Sequence, residues 1–489
     1  MTTGSGAPRR GYGEGDARVH PTLDDPVVAA LSEGVGGPVG ERAGRHRWWT
    51  PVRVLLALTA VCFSLGMLQK SDCYHDSWHN GSARYSHMCY SDLPYLYTDR
   101  GFVELNWPYT NDPQVRARYH VMEYPVGISY WAWGTAWVTH WLSGSPDIED
   151  RYGQSPQALA ADKTVTAESR LFVVVNALGL AAVALLATWF LTGVHRRRPW
   201  DAAIFAVSPA LALTALVNWD LLAVGLVAGA LWAWSRDRPV LTGVLIGLGT
   251  ATKLYPLFLL GGLLVICARR RQWRPFVVAT AAAVVAWVLA DLPAYLSGPA
   301  EWKVFWTFNS DRGADLGSIW LVIAQATDGT VDVKTINTVS WLFFGAWCVG
   351  VLLLGLLAPA TPRLAQLGFL VVAGFLLVNK VYSPQYVLWL LPLAALARPR
   401  WRDQIVWQAG EVLYFAAVWW YLGGFLAPAS GGDTGFYWVA ILVRMAAELY
   451  LVGIVVRDVL VPRHDPVRDL LPTPRPPGRP SLALPGRPG

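Results

Sequence analysis

The chain has 489 residues, of which 54% are hydrophobic and 15% charged, with a formal net charge of +6 and a mean hydropathy of +0.33. Soluble domains carry about 25% charged residues, so this composition speaks against one large soluble core. The charges sit in short runs between long apolar stretches, as in a chain of many membrane spans, and the basic residues flank those stretches as topology signals, which argues against a nucleic-acid surface.

In chain order, residues 1–45 are rich in Gly, Pro, Arg and Asp and read as a disordered tail; residues 46–456 form the apolar body; residues 457–489, rich in Arg and Pro, read as a second tail. Basic clusters stand at 42–47, 195–198, 236–238, 269–274, 363, 398–402 and 457–463. If all face the cytoplasm, the chain between each pair crosses an even number of times. One helix over 239–268 would be roughly 45 Å long and would separate its flanking clusters. A hairpin turning at Lys253-Leu254-Tyr255-Pro256 keeps them together. The same argument folds 201–235 around Asn218-Trp219-Asp220 and 364–397 around 379–386. It places 295–318 and Gly431-Gly432-Asp433 on the outer side. Three apolar stretches, 52–68, 124–142 and 169–192, lie between the first two clusters. The middle one carries Trp131, Trp133, Trp137 and Trp141. Tryptophan favours the interface, so 124–142 is expected to be re-entrant or interfacial. The expected fold is an all-α polytopic membrane protein with about 12 spans, both termini inside, and a long first extracytoplasmic loop at 69–121.

That loop is dense in Asp, His, Tyr, Arg and Trp, and its only cysteines are Cys73 and Cys89. On the outer side they can pair, closing a loop worth about 3 kcal/mol; two free thiols are the alternative. Cys62, Cys267 and Cys348 lie in or beside apolar stretches and read as packing residues. No paired-ligand spacing or Asp-x-Asp pair calls for a metal.

Only 6 lysines stand against 34 arginines, yet Lys253 and Lys380 fall at two outer hairpin tips. A cation near membrane depth is costly unless it has a partner or a task, and an ammonium suits a phosphate oxygen; snorkelling to headgroups is the other reading. Asn218 or Asp220 caps the helix starting at Leu221, or Asp220 belongs to a site. Asp291 reads as a span-end residue. In 301–318, Arg312 is placed to clamp a phosphate and Trp302 or Trp306 to stack on a sugar ring, or the segment is an interfacial helix with ordinary ion pairs.

The ordered set CYSDLPYLYTDRG, MEYPVG, NWDLL, ATKLYP, FNSDRGADLGS and NKVYSPQYVLWLLPL resembles glycosyltransferase family 87, membrane enzymes of the GT-C fold that use lipid-phosphate sugars. The resemblance spans roughly residues 50–456. It implies a polyprenyl-phosphate sugar donor, often mannose and in some members arabinofuranose. It also implies a glycan or glycolipid acceptor, an extracytoplasmic active site at the plasma membrane, inversion at the anomeric carbon, and no cofactor. The family's acidic residue of the first outer loop looks like Asp92, and its lipid-phosphate site looks like Lys253 and 382–385. This chain has Tyr-Ser-Pro-Gln-Tyr where some members have histidines, which leaves Lys380 or Tyr382 for phosphate contact. Asp220, Tyr255, Gln385, Trp306 and Asn309 are the expected substrate contacts.

Inverting transfer needs a base for the acceptor hydroxyl, worth about 10²–10⁴ in rate. The leaving phosphate needs cations more than a proton, so a glycosidase-like carboxylate pair is unnecessary. Asp92 fits the base, with Asp99, seven residues on, as its rival; Lys253, Lys380, Arg312 and Tyr382 fit the phosphate side. A lipid or solute transporter would instead spread charges through the spans around a midplane site, often with internal repeats. A structural subunit presenting the 69–121 loop is a third reading.

Overall fold

A computed structural model of the chain describes residues 25–35, 48–327, 329–426 and 434–468. The basic cluster at 42–47 and the Gly431-Gly432-Asp433 turn lie outside the described residues. Within them, 76% helix and no strand are found. The principal helices are α1 (Pro51–Gln69), α2 (Asp92–Asp99), α3 (Val126–Leu142), α4 (Lys163–Val194), α5 (Leu221–Trp234), α6 (Pro239–Thr252), α7 (Leu259–Arg270), α8 (Trp273–Ser297), α9 (Pro299–Asp311), α10 (Val333–Leu357), α11 (Leu364–Val378), α12 (Val387–Ala397), α13 (Trp401–Leu422) and α14 (Gly435–Leu460).

Five of these, α1, α4, α8, α10 and α14, are long and apolar enough to cross a membrane. Their outward faces carry bare apolar side chains such as Val285, Leu289, Leu342, Leu353 and Leu357. Such surface is unfavourable in water and is satisfied by lipid. The protein is therefore a multi-pass membrane protein. The short helices α5, α6, α7, α11 and α12 have 11 to 15 residues, roughly 16–23 Å at 1.5 Å per residue. They are too short to span alone; α6 pairs with α7, α11 with α12, and α5 with the 195–220 segment before it.

Helix direction can be read from close contacts. Gly243 meets the backbone of Ala279 and Gly247 that of Ala283, so α6 and α8 run parallel, and only glycine allows their backbones to approach so closely. The chain between them must return, which makes α6 and α7 a hairpin about Lys253. Gly225 meets Val183 and Gly229 meets Phe190, so α4 and α5 also run parallel, and 195–220 returns in the same way. Arg363 bonds the carbonyls of Leu396 and Ala397, while Gly368 meets Leu393, so α11 and α12 are antiparallel.

The described basic clusters collect at one end. Arg236 donates to Gly193 O, Arg269 to Leu356 O, and Arg198 to Pro466 O. Arg363 pairs with Asp465, and Arg398 with Asp403 and Asp458. The three hairpin tips and the 69–121 loop lie at the other end. Asp92 N donates to Val217 O, Asp315 N to Lys380 O, and Tyr382 N to Leu316 O. Helix α3 stays there along much of its length: Tyr130 bonds Ala290 O and Trp133 bonds Leu105 O.

Both expected tails are partly ordered. Pro26–Val35 is helical, with Asp25 accepting from Trp401 N at 3.0 Å. At the other terminus Asp465, fully buried, is held by Arg363 and Arg468, which straps 461–468 across the basic end. At the C-terminal side the reason is ion pairing, which a hydrophobicity argument does not weigh; at the N-terminal side it is a hydrogen bond to a backbone N–H.

Candidate active site

Ser91 is the N-cap of α2. Its hydroxyl accepts from Leu93 N and donates to Leu216 O at 2.7 Å, while Asp92 N donates to Val217 O at 2.8 Å. The first loop is thus pinned to the 216–218 turn, and Asp92 is fixed in the first turn of its helix. Pro94 fits there because a proline costs no intrahelical bond in the first turn. The Tyr124 hydroxyl donates to Asp92 Oδ2 at 2.7 Å, and Asn218 Nδ2 donates to that hydroxyl at 3.4 Å. Asp92 is half-buried. Desolvation and the nearby Asp220 charge raise its carboxyl above the usual range; the Tyr124 and Tyr90 hydroxyls and the Lys253 charge act in the opposite direction. Asp99, at the far end of α2, is exposed and stands apart from these groups.

Lys253 breaks α6 with an extended backbone, φ −151° and ψ 149°. Its ammonium lies 2.8 Å from Asp220 Oδ1, and Trp389 Nε1 donates to Asp220 Oδ2 at 2.9 Å. The same ammonium stands 4.7 Å from the ring of Tyr124 and 5.7 Å from those of Tyr386 and Trp389, an aromatic cage that favours a cation. Asp220 makes no side-chain cap: it is fully buried and serves Lys253.

Beside this group opens a cavity of about 690 Å³. Lys253, Arg312, Lys380, Asn309 and Trp306 line its polar part, and Leu257, Phe258, Trp341, Phe344 and Phe375 its apolar part. Arg312 pairs with Asp315 at 2.6 Å, and Lys380 Nζ donates to the carbonyls of Asn309 and Ser310 at 2.8 and 2.9 Å, so the two cations share one short segment. Tyr124 lines the cavity and also touches Asp92, which does not line it.

Four expected contacts lie elsewhere. Tyr382 is fully buried; its hydroxyl donates to Glu411 at 2.9 Å and its ring lies 3.7 Å from the Arg444 guanidinium. Because Glu411 and Arg444 satisfy it there, Tyr382 does not face the cavity. Tyr255 and Gln385 are buried behind the wall, Tyr255 stacked 4.8 Å from Trp389. Asp220 stands behind Lys253. Sequence reasoning missed Tyr124, Asn218 and Trp389 as individuals, although each lies inside one of the quoted motifs. Cys73 and Cys89 form a disulfide packed against Trp78. Cys62, Cys267 and Cys348 are free. No group of three or more His, Cys, Asp or Glu is placed to hold a metal ion among the described residues.

A multi-pass helical protein with broken hairpins around a cation-lined cavity is the class these features define. Residues 155–379, just under half of the chain, match the model of glycosyltransferase family 87, and over that span the chain is similar to that family's membrane glycosyltransferases. The matched span contains Asp220, Lys253 and Arg312 and ends one residue before Lys380; Asp92 and Tyr124 precede it. No curated protein matches the chain.

Proposed function

We propose that the protein transfers a sugar, mannose in the first instance, from a polyprenyl-phosphate donor to a glycan or glycolipid acceptor at the outer face of the plasma membrane, with inversion. One observation carries the reading. Three cations, Lys253, Arg312 and Lys380, stand at the polar side of a cavity whose other side is apolar, and Tyr124 connects that cavity to Asp92. A lipid phosphate has this same division of chemistry, and cations stabilise the departing phosphate. Asp92 takes the proton of the acceptor hydroxyl. Tyr124 positions it between donor and acceptor. The positive-inside rule puts the basic end in the cytoplasm and the cavity end outside, and about twelve spans follow if each short pair dips from one side and returns.

The test is transfer by membranes holding the protein, supplied with labelled polyprenyl-phosphate mannose and, separately, the arabinofuranose donor. Transfer from the first supports the reading; transfer from the second alone replaces mannose by arabinofuranose. Transfer from neither by a folded protein contradicts it.

A further inference from the structure

One buried carboxylate has no part in the scheme above. Asp291, near the end of α8, is 8% exposed. Its Oδ1 accepts from Trp302 Nε1 at 2.7 Å, whereas its Oδ2 is buried with no partner among the described residues. Buried polar atoms are nearly always bonded, and a carboxylate at membrane depth marks function by default. Asp291 borders a recess of about 10 Å³, room for about one water-sized group. The rings of Trp287, Trp302 and Trp306 form its walls. Tyr124, Leu254 and Trp306 line both the recess and the large cavity, so the recess is a side chamber of that cavity.

We propose that this chamber receives one hydroxyl of the transferred sugar, which donates to Asp291 Oδ2 while Trp306, which lines both the chamber and the large cavity, flanks the sugar's C–H face. The inference rests on the cavity being the donor site. An ionised carboxylate is an acceptor only, so its occupant brings a proton to share. The size fits one hydroxyl, and the cationic cavity next door disfavours a further cation. Asp291 is then a specificity residue: a pocket built to bond a hydroxyl discriminates strongly against a sugar lacking it.

The experiment uses the donor that wild type accepts, and the same donor with each sugar hydroxyl removed in turn, on wild type, Asp291→Ala and Asp291→Asn. Asp291→Asn keeps an acceptor for Trp302 and so guards the fold, which thermal unfolding in detergent checks. One deoxy donor is expected to lose about 10-fold or more in kcat/KM with wild type. Asp291→Ala is expected to be equally slow with the intact donor and to show no further loss with that deoxy donor. Equal deoxy penalties in wild type and both variants, or normal transfer by Asp291→Ala, would overturn the inference and leave the donor-site reading intact. Failure of wild type with every intact donor would overturn the donor-site reading and this inference together.

Discussion

Tyr124 donates a hydrogen bond to Asp92 at 2.7 Å while its ring stands 4.7 Å from the ammonium of Lys253. One side chain thus joins the carboxylate of the first loop to the cation at the cavity wall, and it sits where acceptor and donor would meet.

The pH dependence of transfer follows from this contact. A base works when deprotonated, and burial raises the Asp92 carboxyl above its ordinary value, about 3.9. The rate is therefore expected to fall on the acid side at a pH above that value. Tyr124→Phe removes a hydrogen bond that stabilises the charged form, so the acid limb should move to higher pH. A pH profile of kcat/KM for the two proteins checks the sign; a shift to lower pH would contradict it.

The Lys253–Asp220 pair separates structure from catalysis. Removing one partner of a buried pair leaves a charge unmatched and costs about 3–5 kcal/mol, so Asp220→Ala should unfold at markedly lower temperature. Lys253→Met combined with Asp220→Leu removes both charges and should recover most of that stability. Transfer should stay lost, because the proposed phosphate contact is gone. Recovery of transfer along with stability would assign Lys253 a structural role only.

The Cys73–Cys89 bridge spans a sequence separation of 16 and should contribute about 3 kcal/mol by restricting the unfolded loop. Cys73→Ser with Cys89→Ser, or reduction of the native protein, should lower the unfolding midpoint. Transfer should also weaken, since the loop carries Asp92. An unchanged midpoint would show that the bridge adds nothing.

Sidedness is open to chemical labelling. Thr307 lies exposed in α9 at the cavity end, and Arg271 is exposed at the basic end. Thr307→Cys should react with an impermeant maleimide on intact cells, and Arg271→Cys only after permeabilisation. The opposite pattern would place the cavity in the cytoplasm.

Much of the architecture was legible because charge placement is a one-dimensional signal. Arg236, Arg269, Arg363 and Arg398 mark the turns on one end, and the hairpins about Asp220, Lys253 and 379–386 follow from counting crossings. The cavity cations were legible for a related reason: lysine is rare in this chain, so Lys253 and Lys380 stand out. What stayed hidden depends on distant partners. Tyr382 adjoins Lys380 and reads as a phosphate contact, but Glu411 and Arg444, from the last two helices, hold it in the interior. Asp220 reads equally well as a helix cap until Lys253 and Trp389 are seen to claim both its oxygens. Asp465 stands in a segment whose composition reads as disordered, and only its burial against Arg363 reveals a clasp.

The most direct test is sugar transfer by Asp92→Asn beside wild type, at matched abundance and unfolding temperature, with the donor that wild type uses. Loss of the base should lower the rate by about 10²–10⁴ while donor binding persists, because Lys253, Arg312 and Lys380 are untouched. Transfer by Asp92→Asn at the wild-type rate would contradict the account.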